Sequence, residues 1–293
     1  MGEMTLENSR LRLTVDTVGA QMMSIRTNPD GREYLWQGDA RYWSDRAPVL
    51  FPFVGRLTEN AYCYAGRRYS MGSHGFAARQ EFDCRCRDGQ RLVLERTDNA
   101  ETRAQYPFAF SLQIAYQLAD NQIRIACRVE NRDTRPLPFG IGGHPGFRVP
   151  LEEGERFEDY YLEFAGGCRP DRVGFTPQLF LSGRDEAYPL EEGRYLPLRH
   201  DLFEEDAVVL KNMSREVVLR SRVSPHGVRV RCPDMPYLGL WHAPKTDAPY
   251  VCIEPWSSLP ARQDVVEDLA CRSDLIQLAP GRIYDNTWSI TVF

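Results

Sequence analysis

A large antiparallel β-sandwich with few short helices is the fold predicted for this chain, and three observations carry the prediction. Apolar and polar residues alternate with period two in many short segments. No long segment shows the i, i+3, i+4, i+7 apolar spacing of a helix together with a cap and a stop. The 22 glycines and 20 prolines are spread along the whole length, as turns between strands require. Along the chain, Leu11, Leu13 and Val15 alternate with Arg10, Arg12 and Thr14. Ile123, Ile125, Cys127 and Val129 alternate with Arg124, Arg128 and Glu130. After the turn-like Ser224-Pro-His-Gly227, Val228, Val230 and Cys232 alternate with Arg229 and Arg231. Each reads as a half-buried strand with one wet face. Tyr250 to Ile253 read as a fully buried strand ending at Glu254, and Asn286 to Phe293 close the chain with Trp288, Ile290 and Val292 on one side. Composition does not shift, no linker or fixed-period repeat stands out, and one domain over residues 1–293 is expected.

With 293 residues, 42% hydrophobic and 11% aromatic positions, the chain has ample apolar surface for a core, which excludes disorder. A net charge of −5 has the wrong sign for a dedicated nucleic-acid binder. No apolar run approaches the roughly 18 residues that span a bilayer. Glu3, Glu7 and Arg10 stand where a signal peptide would need an apolar stretch, so a cytoplasmic location without membrane contact is expected. The eight cysteines show no C-x-x-C, and most are expected to be small buried hydrophobes in reduced form, with Cys84 and Cys86 on one face of a strand. Their spacings fit zinc sites poorly.

Four stretches break the strand rhythm and concentrate rare residues. In Phe51-Pro-Phe-Val-Gly-Arg56 an arginine follows an apolar run and a glycine, where its fork could donate to hydroxyls or an anion or simply be solvated. Met71-Gly-Ser-His74-Gly-Phe76 and Phe139-Gly-Ile-Gly-Gly-His144-Pro-Gly-Phe147 each place a histidine among glycines and aromatics, in loops where backbone can approach a ligand. Three glycines within Gly140–Gly143 would be costly in a plain strand and need a reason. The other three histidines, His200, His226 and His242, lie in polar or turn-like surroundings and are given no role. In Pro249-Tyr-Val-Cys-Ile-Glu254-Pro-Trp256 a carboxylate ends an apolar run, held extended by the following proline and next to a tryptophan. Aromatic faces beside a few polar groups suit the C–H faces of sugar rings, as they also suit an ordinary core. His74, His144 and Glu254 could in principle make a metal triad, but their wide sequence separations do not favour one. No phosphate-binding glycine loop and no Gly-x-Ser-x-Gly elbow is present.

In combination and order, Phe-Pro-Phe-Val-Gly-Arg56, Ser-His74-Gly-Phe, Gly-Gly-His144-Pro-Gly-Phe and Cys-Ile-Glu254-Pro-Trp resemble the aldose 1-epimerase (galactose mutarotase-like) superfamily, in its LacX-like branch, from about Leu11 to the C-terminus. The segment Asp201-Leu-Phe-Glu-Glu-Asp206 is similar to the one that carries a substrate-binding aspartate in that family. The resemblance implies a large antiparallel sandwich binding a sugar on its concave face, with no cofactor and no metal. It implies Glu254 as general base and His144 as general acid of α/β anomer interconversion in a hexose, with Arg56, His74 and Asp206 binding the substrate. A monomer or homodimer acting on a small-molecule sugar is expected. Two departures bear on which sugar fits. After Glu254-Pro-Trp the run is Ser257-Ser-Leu-Pro-Ala-Arg-Gln-Asp264, without the glycine and aspartate that the branch leads one to expect, and the loop after His74 reads Ala-Ala-Arg79. Arg79 with Arg56 could favour a phosphorylated hexose, and Arg79 could equally be a solvated rim residue. A non-catalytic sugar-binding protein on the same fold is the alternative, followed by a structural sandwich module. A glycoside hydrolase would need two flanking carboxylates, of which only Glu254 is firm.

Overall fold

The computed structural model describes residues 2–293. Its architecture is that of an antiparallel β-sandwich, as the alternation predicts. A nine-stranded sheet runs in the order Tyr195–Pro197, Tyr160–Phe164, Glu216–Ser221, Gly227–Arg231, Ile283–Val292, Gln122–Asn131, Phe110–Ala119, Arg91–Thr97 and Asp83–Arg87. Its central hairpin sets Ile123 opposite Leu118 and Ile125 opposite Tyr116. Ile123, Ile125, Cys127 and Val129 enter the main core while Arg124 and Arg128 face solvent. Full burial of each large aliphatic stabilises by about 1.5–3 kcal/mol, and a one-residue register slip would turn the whole set outward. A smaller sheet, Glu3–Glu7, Leu11–Asp16 and Gln21–Thr27, adds Leu11, Leu13 and Val15 to the same core.

The second large sheet follows the order Glu186–Ala187, Asp171–Arg172, Val208–Lys211, Tyr237–Trp241, Tyr250–Trp256, Gly142–Gly143 and Val49–Leu50, with Gly146–Arg148 also pairing with Tyr250–Trp256. Its two faces are clad differently. Val208, Leu210, Leu238, Leu240, Val251 and Ile253 belong to the main core. On the other face, Tyr250 and Cys252 pack with Trp36, and Val209 and Trp256 pack with Leu50, Val54 and Val173. That covering explains why all seven residues of Tyr250–Trp256 are buried rather than alternating wet and dry. The strand also runs on past Glu254, where the sequence suggested that it ends. Pro255 cannot donate to the ladder, but Gly142 pairs with Trp256 and the Ser257 N–H donates to the Ile141 carbonyl at 2.9 Å, so pairing resumes directly after it.

The glycine-rich stretch before His144 has a steric reason. A Cβ at Gly142 would lie 2.9 Å from the Pro255 carbonyl oxygen, and one at Gly143 would lie 2.6 Å from the Trp288 ring. These positions let the strand Gly142–Gly143 pass between two tryptophans and deliver His144 to the far face. The one α-helix among the described residues, Ala100–Gln105, is capped by a reciprocal Asn99–Thr102 box; no helix is long and apolar enough to cross a membrane.

Three sequence expectations differ from the structure. All eight cysteines are free, but only Cys127, Cys232 and Cys252 are buried, and Cys84, Cys86 and Cys271 are exposed. A bulge between Cys84 and Cys86 sets them against Leu94 and Val93, adjacent residues, so the spacing of two no longer places them on one face. His242 is fully buried, not in polar surroundings: its Nδ1 faces the Ala243 carbonyl at 2.8 Å, its Nε2 faces His200 Nδ1 at 3.1 Å, and burial lowers its pKa to about 4.

Candidate active site

Glu254, His144, His74, Arg56 and Asp206 all line one cavity of about 330 Å³, on the face of the eight-stranded sheet that points away from the main core. Its walls include Trp43, Trp241, Trp256 and Pro260. The volume sits at the lower end of the roughly 300–1,000 Å³ of ligand pockets, which suits one sugar ring.

Glu254 is the deepest group, 1% exposed. Gly239 lies directly opposite it on the neighbouring strand. Both ring nitrogens nearest its carboxylate lie against the same oxygen: Trp256 Nε1 donates to Oε2 at 3.1 Å, and His144 Nε2 makes an ion-pair contact with it at 3.2 Å. That arrangement leaves Oε1 to meet a substrate hydroxyl. Burial raises the Glu254 carboxyl well above the ordinary carboxylate range, opposed by the Trp256 bond and reinforced by the Asp206 carboxylate. Burial, and then the nearby His74, push His144 well below 6.5. Burial thus favours the form without charges in both, while the 3.2 Å contact favours carboxylate facing imidazolium.

His144 owes its orientation to backbone and rings together. Its N–H donates to the Pro48 carbonyl at 3.0 Å, and its imidazole lies 4.8 Å from the Trp43 ring and 5.6 Å from that of Trp241. His74 follows a different logic. The Gly55 N–H donates to its Nδ1 at 3.1 Å, so Nδ1 is the bare nitrogen and Nε2 carries the hydrogen. Burial, then the Arg56 guanidinium, lower its pKa to about 4, against a smaller pull from Asp45, so it stays neutral near pH 7. His74 and Gly75 both have left-handed backbone, with φ of 63° and 74°, and a Cβ on Gly75 would strike the Phe51 carbonyl oxygen at 2.3 Å.

Arg56 is exposed beyond Gly55, with its carbonyl accepting from the Ala261 N–H at 2.8 Å. The run after Trp256, read from sequence as a rim loop, therefore also braces the Arg56 segment. Arg272 fastens that run through the Leu259 and Pro260 carbonyls at 2.8 and 3.2 Å. Asp206 stands at φ 83° and accepts from the Ala207 N–H at 2.8 Å. Burial raises its carboxyl, opposed by that bond, by Arg56 and by Trp241.

Three contributors escaped the sequence reading. Trp43 and Asp45 come from an irregular segment with no motif around them; the cluster Tyr34, Trp36, Tyr42, Trp43 was the available signal. Gly239 stands in no motif. A Cβ there would sit 2.9 Å from the Trp256 ring and 3.3 Å from the Glu254 Cβ. Gly239→Ala is expected to keep the fold and lower kcat by about 10- to 100-fold through displacement of Glu254, checked by steady-state kinetics beside circular dichroism.

As to metals, the ligand atoms of His144, Cys252 and Glu254 lie within 4.8 Å of one another, a set different from the His74, His144 and Glu254 triad considered from the sequence. Holding a cation there would require the Cys252 thiol to ionise, which its burial opposes strongly. It would also occupy both His144 and Glu254.

The family model described as "Aldose 1-epimerase" matches residues 3–268. The chain belongs to the aldose 1-epimerase family. Among relatives of this aldose 1-epimerase family member, the chromosomal Protein LacX of Lactococcus lactis subsp. lactis is 34% identical over 98% of both chains. A solved galactose mutarotase related enzyme from Lactobacillus acidophilus is 32% identical, with a TM-score of 0.94 over 100% of this chain and 97% of that one. A galactose mutarotase-like protein from Lactobacillus casei is 30% identical, with a TM-score of 0.94 over 100% of both. The aldose 1-epimerase family acts on sugars, in keeping with the LacX-like, galactose mutarotase-like sandwich described above.

Proposed function

We propose that this chain is a cofactor-independent aldose 1-epimerase that interconverts the α and β anomers of a hexose. The observation that carries the reading is the buried His144–Glu254 pair, 3.2 Å apart at the floor of a cavity walled by tryptophans. Anomer exchange needs a proton removed from the C1 hydroxyl and one delivered to the ring oxygen. Glu254 takes the first through its free Oε1, and His144 gives the second from Nε2. The ring opens to the aldehyde, C1 rotates, and the reverse transfers close it on the other face. The pair carries one titrating proton before opening and one after it, because the substrate supplies what His144 donates. Burial lowers the cost of the state in which Glu254 is protonated and His144 is neutral. His74, neutral and protonated on Nε2, serves as a fixed donor to a substrate oxygen. Arg56 and Asp206 hold hydroxyls by charge-assisted bonds. A binding module without chemistry would have no use for a buried carboxylate against a buried imidazole, whose desolvation costs stability.

The test is polarimetry of freshly dissolved α-glucose and α-galactose with and without the protein. Faster decay to the equilibrium rotation supports the proposal; rates equal to those of buffer for both these sugars and their 6-phosphates refute it. The pH profile carries a further expectation. The base must be ionised, and its carboxyl is raised by burial, so activity should fall as pH drops through a value above 4.5, the ordinary position of a glutamate. An acid limb at or below that value would contradict the assignment of Glu254 as base.

A further inference from the structure

Asp45 lines the same cavity as Glu254 and His144, yet neither the motifs nor the proposed proton transfers use it. It sits on a segment held from several sides. Trp43, two residues before it, faces His144 and is anchored through its carbonyl by Trp36 Nε1 at 2.8 Å. Immediately after it, the N–H groups of Arg46 and Ala47 both donate to Gln21 Oε1 at 2.9 Å. The carboxylate itself is gripped in fork geometry by Arg79, with Nη1 to Oδ1 at 2.8 Å and Nη2 to Oδ2 at 2.7 Å. Arg79 belongs to the short turn Ala77–Arg79 that follows His74, so the pair ties the Trp43 segment to the His74 segment. Asp45 is 21% exposed and Arg79 67%: the acid faces the site while the base lies outside it.

This geometry changes the meaning of Arg79. An anion receptor needs an unpaired cation turned to the ligand, whereas the charge of Arg79 is paired with Asp45 and its side chain is not among those that line the cavity. Each Asp45 oxygen, having accepted one bond, keeps acceptor capacity for another. The cavity wall therefore offers a fixed acceptor suited to a hydroxyl and repellent to a phosphate.

We propose that Asp45 is a specificity-determining residue of this site. Its carboxylate accepts a hydroxyl of a neutral, unphosphorylated aldose, and Arg79 is the positioning residue that aims it. The inference rests on the aldose 1-epimerase reading and deepens it by naming the substrate class. Kinetics of the full chain with glucose, galactose and glucose 6-phosphate provide the test, comparing wild type with Asp45→Asn, Asp45→Glu, Arg79→Gln and Arg79→Lys. Asp45→Asn should raise KM for the neutral sugar on the order of 10-fold or more, with kcat changed far less, because a bond to a charged acceptor is lost while the proton-transfer pair is intact. Arg79→Gln should shift KM in the same direction by less, and Arg79→Lys should recover part of the loss. Wild type should prefer the neutral sugars, and Asp45→Asn should narrow that preference. A preference of wild type for glucose 6-phosphate, or an unchanged KM in Asp45→Asn, would overturn the proposal. Failure of the catalytic reading is separable, since Trp43, Trp241 and Trp256 line the cavity and report binding by fluorescence. With no catalysis in any sample, weaker sugar quenching in Asp45→Asn than in wild type still supports the Asp45 role, and equal or absent quenching overturns it.

Discussion

Replacing Glu254 by Gln is expected to slow anomer interconversion by about 10²–10⁴-fold with the fold intact. The amide keeps the shape of the carboxylate, and its oxygen can still accept from Trp256 Nε1, now 3.1 Å from Oε2. What disappears is the ability to take a proton. Stability should move the other way. In the folded chain burial raises this carboxyl above 4.5, so the folded state resists its ionisation. A group with a raised folded pKa contributes most at low pH and loses that contribution as pH rises through the raised value. Wild type and Glu254→Gln should therefore melt together below about pH 4.5, with the variant becoming the more stable as pH increases. Thermal melts across pH, beside polarimetry, check both halves. Near-normal rates, or a variant that destabilises at neutral pH, would count against a buried base at this position.

His144→Asn should also cost about 10²–10⁴-fold in rate, for the complementary reason that an amide cannot act as an acid. The loss should fall mainly on kcat, because transfer to the ring oxygen occurs on the way to the open-chain aldehyde and not on binding. The double variant with Glu254→Gln should lose little more than either alone, since a single concerted exchange fails once one partner is missing. Multiplying losses would mean that the two residues act in separate steps. A mere packing role for His144 against Trp43 would instead be met by Asn with a change in thermal stability and a preserved rate.

Much of this site was legible before any fold was known. Glu254, His144, His74 and Arg56 were singled out from rare residue types set among glycines, prolines and aromatics, Asp206 only through the resemblance of its segment to the family, and all five line one cavity. The strands around Ile125 and Val230 were legible as well, because a pleated sheet repeats every two residues and leaves that period in the sequence. The sequence left Arg79 open between a phosphate ligand and a solvated rim residue, since nothing near it in sequence reveals Asp45, 34 positions upstream. Cys84 and Cys86 were misplaced by a bulge that a spacing of two cannot disclose. Gly239 carries no motif; its importance lies in being directly across the ladder from Glu254.

The amino-acid order alone thus determines the sheet-forming periodicity, the turns and the kinds of chemistry available at each stretch, because these depend on a residue and its near neighbours. The tertiary structure decides what those groups can do. It brings His144 to 3.2 Å from a glutamate 110 positions away, seals the pair beneath tryptophans and turns the Asp45 carboxylate inward with Arg79 behind it. Coulombic attraction and desolvation act through space rather than along the chain, so the shifted proton affinities of this pair exist only once the sheets have closed.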